Sequence, residues 1–144
     1  MLVFDGFGSK RKYWNGKCAG CNRFNTSEAW CQTCDPQKLI QGWTSGIKDV
    51  DDCIKGFQLK TTNYEDVIEW IPFNRLNNIQ GIGDKFLATW LDGRRYIKDK
   101  SSSKCKQSRT SSCVVVLKTL TRSQNLLDTL KEVRLYIFHI YIFI

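Results

Sequence analysis

Two Cys-x-x-Cys pairs, Cys18/Cys21 and Cys31/Cys34, stand nine residues apart. They restrict what the first part of this chain can fold into more than any other feature. A tight turn brings positions i and i+3 of each pair together, so two such turns offer four thiolates to one tetrahedral ion. Four sulfurs close the coordination shell and leave no position for water or substrate, which points to a structural Zn²⁺ rather than a catalytic one. Free thiols and a thioredoxin-like redox pair are the alternatives. A doubled motif in a segment with so little apolar material of its own favours metal over both. The chain has seven cysteines and no N-terminal stretch that joins a positive start, an apolar run and a small-residue cleavage site. An intracellular, cytoplasmic location is therefore expected, where reduced thiols bind metal.

After the cysteines the spacing turns helical. Asp35-Pro36 is an N-cap followed by proline at the first helical position, and Leu39, Ile40 and Trp43 give that short helix an apolar side. Thr44-Ser45-Gly46 breaks it. Ile47, Val50, Ile54 and Phe57 recur at steps of three and four, predicting a second helix with Asp49, Asp51 and Asp52 near its positive end. Asn63 is placed to cap a third, with Tyr64, Val67, Ile68 and Ile71 on its buried side and Pro72 at its end. These helices hold no acid–base–nucleophile grouping. They read as a connector that packs on its neighbours, with docking of a protein partner through 36–71 as the alternative.

From Phe73 the pattern favours strands, predicted at 79–86 and 87–90, with Gly93 turning the chain after Asp92. The net charge of +8 is concentrated: nine Lys or Arg against one Asp fall within 94–122. Residues 94–113 combine Arg94, Arg95, Lys98, Lys100, Lys104, Lys106 and Arg109 with six serines, which predicts a solvated basic loop. No aromatic lies between Tyr96 and Cys113 to stack on bases, so nucleic acid is not expected as a partner. Val114-Val115-Val116-Leu117 is a β-branched run that delivers Lys118 at its end. Leu126, Leu130 and Val133 then share one helical face, with Glu132 between them. The ending, 135–144, is almost wholly β-branched or aromatic and too short for a bilayer span of about 20 residues. His139 within it reads as a packed residue.

Taken in order, Cys18-x2-Cys21, Trp30-Cys31-x2-Cys34-Asp35, Trp43-Thr44-Ser45-Gly46, Glu69-Trp70-Ile71-Pro72-Phe73, Ile82-Gly83, Trp90-Leu91-Asp92-Gly93, Val116-Leu117-Lys118 and Ser123-Gln124-Asn125 resemble a large fungal family of kinase-like proteins with a Cys-rich N-terminus. The resemblance runs from about Cys18 to Val133. It implies an α+β chain in three parts: a lead-in and four-cysteine zinc knuckle over 1–34, a helical connector over 35–72, and an incomplete kinase small lobe over 73–144 with the basic serine-rich insertion at 94–113. It further implies ATP with Mg²⁺ as ligand, Ile82 and Gly83 at the glycine-rich strand pair, Lys118 on the α- and β-phosphates, and Glu132 as the partner of Lys118. The chain departs from that pattern between Gly83 and Ala88, where Asp84-Lys85-Phe86-Leu87 replaces a G-x-G-x-x-G loop. It also contains no H-R-D or D-F-G triplet, so a catalytically silent fragment with residual nucleotide binding is expected. The cysteine segment also resembles a RanBP2-type zinc finger, with Trp14 ahead of the first pair and Asn25 between the pairs. That makes a zinc-knuckle module for RNA or protein the competing function, beside a non-functional truncated product.

Overall fold

The computed structural model describes residues 13–119 together with 125 and 128. Glu132, His139 and the apolar ending lie outside the described residues. The chain is α+β, and 13–119 contain two α-helices and two antiparallel sheets. Helix α1 (Asp35–Leu39) follows the second cysteine pair directly and carries buried Pro36 in its first turn, where a missing N–H leaves no bond unmade. Helix α2 (Lys48–Lys60) buries Asp51, Ile54 and Gln58 on one side. Ile47, expected on its apolar face, precedes the helix and is exposed.

The predicted third helix does not form. Tyr64–Asp66 makes one 3-10 turn, and 67–72 then form no helix, with Val67 and Pro72 in the extended region. The reason is reach, because Tyr64 is buried in one apolar core and Ile71 in another. Seven residues span about 10 Å as a helix and more than about 20 Å extended. Gln58 holds the extended course by donating to the carbonyl of Ile68 at 2.8 Å.

Three strands make the first sheet: β1 (Leu76–Ile82), β2 (Lys85–Trp90) and, entering after a second hairpin described next, β5 (Cys113–Leu117), in the order β1-β2-β5. The strand predicted to run through 79–86 is instead split by a two-residue turn at Gly83-Asp84. Gly83 has φ +60° while Asp84 does not share a positive φ, the pattern of a II′ hairpin turn that glycine enters without strain. Phe86, Ala88 and Trp90 face the same side as their partners Leu117, Val115 and Cys113. Ile71, Leu76, Ala88, Trp90, Val115 and Leu117 form the core beneath them. The β-branched run of β5 thus packs as a half-buried strand should.

Residues 94–113, predicted as a solvated loop, contain the second sheet. β3 (Arg95–Lys98) pairs antiparallel with β4 (Lys106–Arg109). Its inward residue Ile97, with Cys105 beyond it, joins Trp30 and Tyr64 in the second core. Gly93 sets the hairpin's exit from β2. It has φ +70°, and a Cβ there would lie 2.0 Å from the carbonyl oxygen of Thr110, a contact only glycine avoids. Among the described residues no helix is long and apolar enough to cross a membrane.

Candidate metal centre

The cysteine knuckle is built from local hydrogen bonds before any ion is considered. Cys18 N–H donates to Arg23 C=O at 2.9 Å and Asn22 N–H to Cys18 C=O at 2.8 Å, closing the first turn with Asn22 at φ 57°. The second turn closes through Cys34 N–H and Asp35 N–H, both donating to Cys31 C=O. Asp35, expected as an N-cap, works upstream: its Oδ2 accepts from Cys31 N–H at 2.7 Å and ties α1 to the knuckle. Trp30, 1% exposed, fills the space under the second turn, its Nε1 donating to Gln32 Oε1 at 3.1 Å.

These turns bring the four sulfurs of Cys18, Cys21, Cys31 and Cys34 within 4.8 Å of one another, close enough to hold a metal ion. Cys21 Sγ and Cys31 Sγ are 3.7 Å apart. A tetrahedron of thiolates about 2.3 Å from a central Zn²⁺ has edges of about 3.8 Å, whereas a disulfide needs about 2.05 Å. All seven cysteines of the chain are free thiols. Cys18 and Cys31 are buried and Cys21 and Cys34 half-buried, so the cluster has one wet side and one dry side.

A backbone donor favours ionised sulfur at Cys21, and Cys34 is shifted the opposite way. The Arg23 N–H, the largest influence on Cys21, lowers its thiol to about 6. Sharing hydrogen bonds with Cys21 pushes Cys34 up to about 12. Gly20 N–H donates to Cys18 Sγ at 3.3 Å, and a Cβ at Gly20 would stand 3.4 Å from Cys34 Sγ. The N–H aimed at the Cys21 sulfur stabilises its thiolate, the form that ligates metal.

The knuckle is also the platform for the β3–β4 hairpin. Cys105 Sγ donates to Asn15 C=O at 3.4 Å, Gln107 Nε2 to Ala29 C=O at 2.8 Å, and Ser101 N–H to Glu28 Oε1 at 2.7 Å. From the connector, Glu65 accepts from Ile97 N–H and from Lys100. Glu69 accepts from both Arg95 and Arg109, which stand directly opposite each other across the hairpin. None of these ties is visible in the sequence, because the partners lie 26 to 90 residues apart.

The nucleotide residues expected from the sequence are brought together in part. β1 ends at Ile82, β2 begins at Lys85 and β5 ends at Leu117, so Ile82, Gly83 and Lys118 share one end of the first sheet. Ile82 is exposed and Lys118 half-buried. Lys85, missed in the sequence, follows the same register and lies at that end too. The turn there has two central residues and no glycine cradle. A pocket between Phe57, Lys60, Thr61, Asp66 and Ile68 encloses about 10 Å³, room for no more than a water molecule. No family model, no curated protein and no solved structure matches the chain.

Proposed function

We propose that this chain is a zinc-stapled binding module and does not transfer phosphate by itself. The convergence of the Cys18, Cys21, Cys31 and Cys34 sulfurs carries the reading. Four thiolates satisfy Zn²⁺ completely, so the ion's contribution is folding energy and shape rather than Lewis-acid chemistry. What it shapes is the surface formed by the knuckle and the hairpin docked on it. Protein purified in reductant is expected to carry one Zn²⁺ per chain, lost in Cys31→Ser, with a large fall in Tm on chelation. A chain with well under one equivalent of any metal and a Tm indifferent to chelator would overturn the reading.

A second reading rests on the meeting of Ile82, Gly83 and Lys118 at one sheet end. The resemblance to kinase-like proteins implies that Lys118 there meets the phosphates of ATP with Mg²⁺, with Glu132 as its partner. A two-residue turn in place of a glycine-rich loop supports weak binding only. Millimolar ATP with Mg²⁺ should raise Tm by mass action, and Lys118→Ala should abolish the rise. An unchanged Tm in the parent chain rules this second reading out.

A further inference from the structure

The hairpin has two cross-strand pairs of like charge, and the fold accounts for one of them. Arg95 and Arg109 face inward and share the Glu69 carboxylate. Lys98 and Lys106 are also directly opposite. Alternation from buried Ile97 puts them on the outer face, where both are exposed and neither has an ion-pair partner among the described residues. Like charges facing each other across a sheet destabilise it. Among the described residues no carboxylate offsets this pair, which leaves both ammonium groups available to an anion from outside.

The surroundings of that pair indicate what binds. Tyr96 lies two residues from Lys98 on the same outer face, paired with Ser108. Exposed Lys104 stands in the connection between the strands. The knuckle brings a second aromatic to the same end: Asn15 C=O accepts from Cys105, a Cβ at Gly16 would be 3.3 Å from Ser103 C=O, and the preceding Trp14 is 52% exposed. Lysines spaced beside the half-buried Tyr96 ring and the exposed Trp14 ring fit an alternation of phosphates and bases, where an acidic peptide would use the lysines and leave the rings without a role. The expectation that nucleic acid is no partner rests on the lack of an aromatic between Tyr96 and Cys113, and the fold supplies the rings from outside that interval.

We infer that the outer face of the β3–β4 hairpin, with Tyr96, Lys98, Lys104 and Lys106, and Trp14 beside it, is a binding surface for single-stranded nucleic acid. The inference rests on the metal-stapled reading of the knuckle, since the knuckle positions the hairpin. Its test is the full chain titrated into a fluorescently labelled ten-nucleotide uridine RNA, with bound Zn²⁺ measured on the same samples. Three phosphate contacts at about 0.7 per phosphate predict that affinity falls about twentyfold between 50 and 200 mM salt. Lys98→Gln with Lys106→Gln should weaken binding and reduce the salt slope by about 1.4. The same pair of changes should raise Tm, because a repulsion is removed. That combination is what a merely structural role cannot produce. Tyr96→Val, which keeps strand propensity, should weaken binding about five- to hundredfold at unchanged salt slope. The inference is overturned if the metal-loaded chain shows no saturable RNA binding at 50 mM salt. It is equally overturned if the double lysine variant binds as the parent does, or if a decaglutamate peptide competes as well as RNA. Loss of binding together with loss of Zn²⁺ in the parent sample would instead strike the metal reading on which it depends.

Discussion

The β1-β2-β5 sheet turns Ala88, Trp90, Val115 and Leu117 onto one face and closes them with Leu76 and Ile71, while the β3–β4 hairpin buries a single aliphatic side chain of its own strands, Ile97. The first region holds together by removing apolar surface from water, at about 25 cal/mol per Å². The second holds by directed ties: Glu69 to two arginines, Glu65 to a backbone N–H and a lysine, and side-chain bonds to the knuckle. Burial is tolerant and additive. Directed ties work only if the platform beneath them is fixed, and the cysteine cluster fixes this one.

The strongest way to break this contrast is to take away the Zn²⁺ proposed for the knuckle. Structural zinc in small domains is worth about 10–16 kcal/mol of apparent binding energy at neutral pH, as much as a domain's whole stability. Chelation, or Cys31→Ser, should therefore release the knuckle and with it the hairpin. Amide hydrogen exchange at β3 and β4 should rise to near the unprotected rate while β2 and β5 keep most of their protection. Equal loss in both sheets would mean that the two cores fold as one cooperative unit.

The converse experiment strikes the apolar sheet. Trp90 is 3% exposed, donates from Nε1 to Asp92 at 3.1 Å, and has the Arg109 guanidinium 5.4 Å from its ring. Trp90→Ala should lower stability by about 3–5 kcal/mol, the usual loss for emptying an aromatic site. Urea unfolding followed by circular dichroism measures this, and the Zn²⁺ content of the folded fraction should be unchanged. A smaller effect is expected for Glu69→Ala, which leaves Arg95 and Arg109 opposed with no acid between them. Loss of one partner of a well-buried pair takes about 3–5 kcal/mol, and with Arg109 about a third exposed the expected loss is about 2 kcal/mol. Thermal melts at low and high salt report it, and high salt should recover part of the loss by screening the two guanidinium groups.

The same contrast explains what could be read from residue order. The four-cysteine cluster, the α2 face at Ile54 and strand β5 were legible, because each is a local pattern: i, i+3 cysteines, helical spacing, a β-branched run. The hairpin was not, since Arg95–Lys98 and Lys106–Arg109 show almost no apolar alternation and owe their place to Glu28, Glu65 and Glu69 far away in the chain. Tyr64, Val67 and Ile71 carry helical spacing yet serve two cores, and no periodicity records that a segment must bridge them. Thr44-Ser45 was legible as a break and nothing more, although both residues bind the carboxylate of Asp51.

That carboxylate yields the smallest effect, and it isolates directed bonding from both burial and metal. Asp51 accepts from Ser45 through hydroxyl and backbone N–H and from the Thr44 hydroxyl, and these bonds, the Ser45 hydroxyl foremost, lower its pKa to about 2 from an ordinary value of 3.8. A folded-state pKa below the unfolded one means that the ionised group favours the fold. Its contribution is complete above the unfolded value and is lost as pH falls through 3.8 towards 2. Asp51→Asn has no carboxylate to protonate, so the Tm difference between parent and variant should be constant above about pH 5 and shrink to little by about pH 2. Any metal held by the knuckle leaves both chains over the same acid range, so the difference between them, rather than either curve, carries the result. A difference that does not change with pH would show that Asp51 acts through shape alone, and that the Thr44-Ser45 turn is held by packing as the first sheet is.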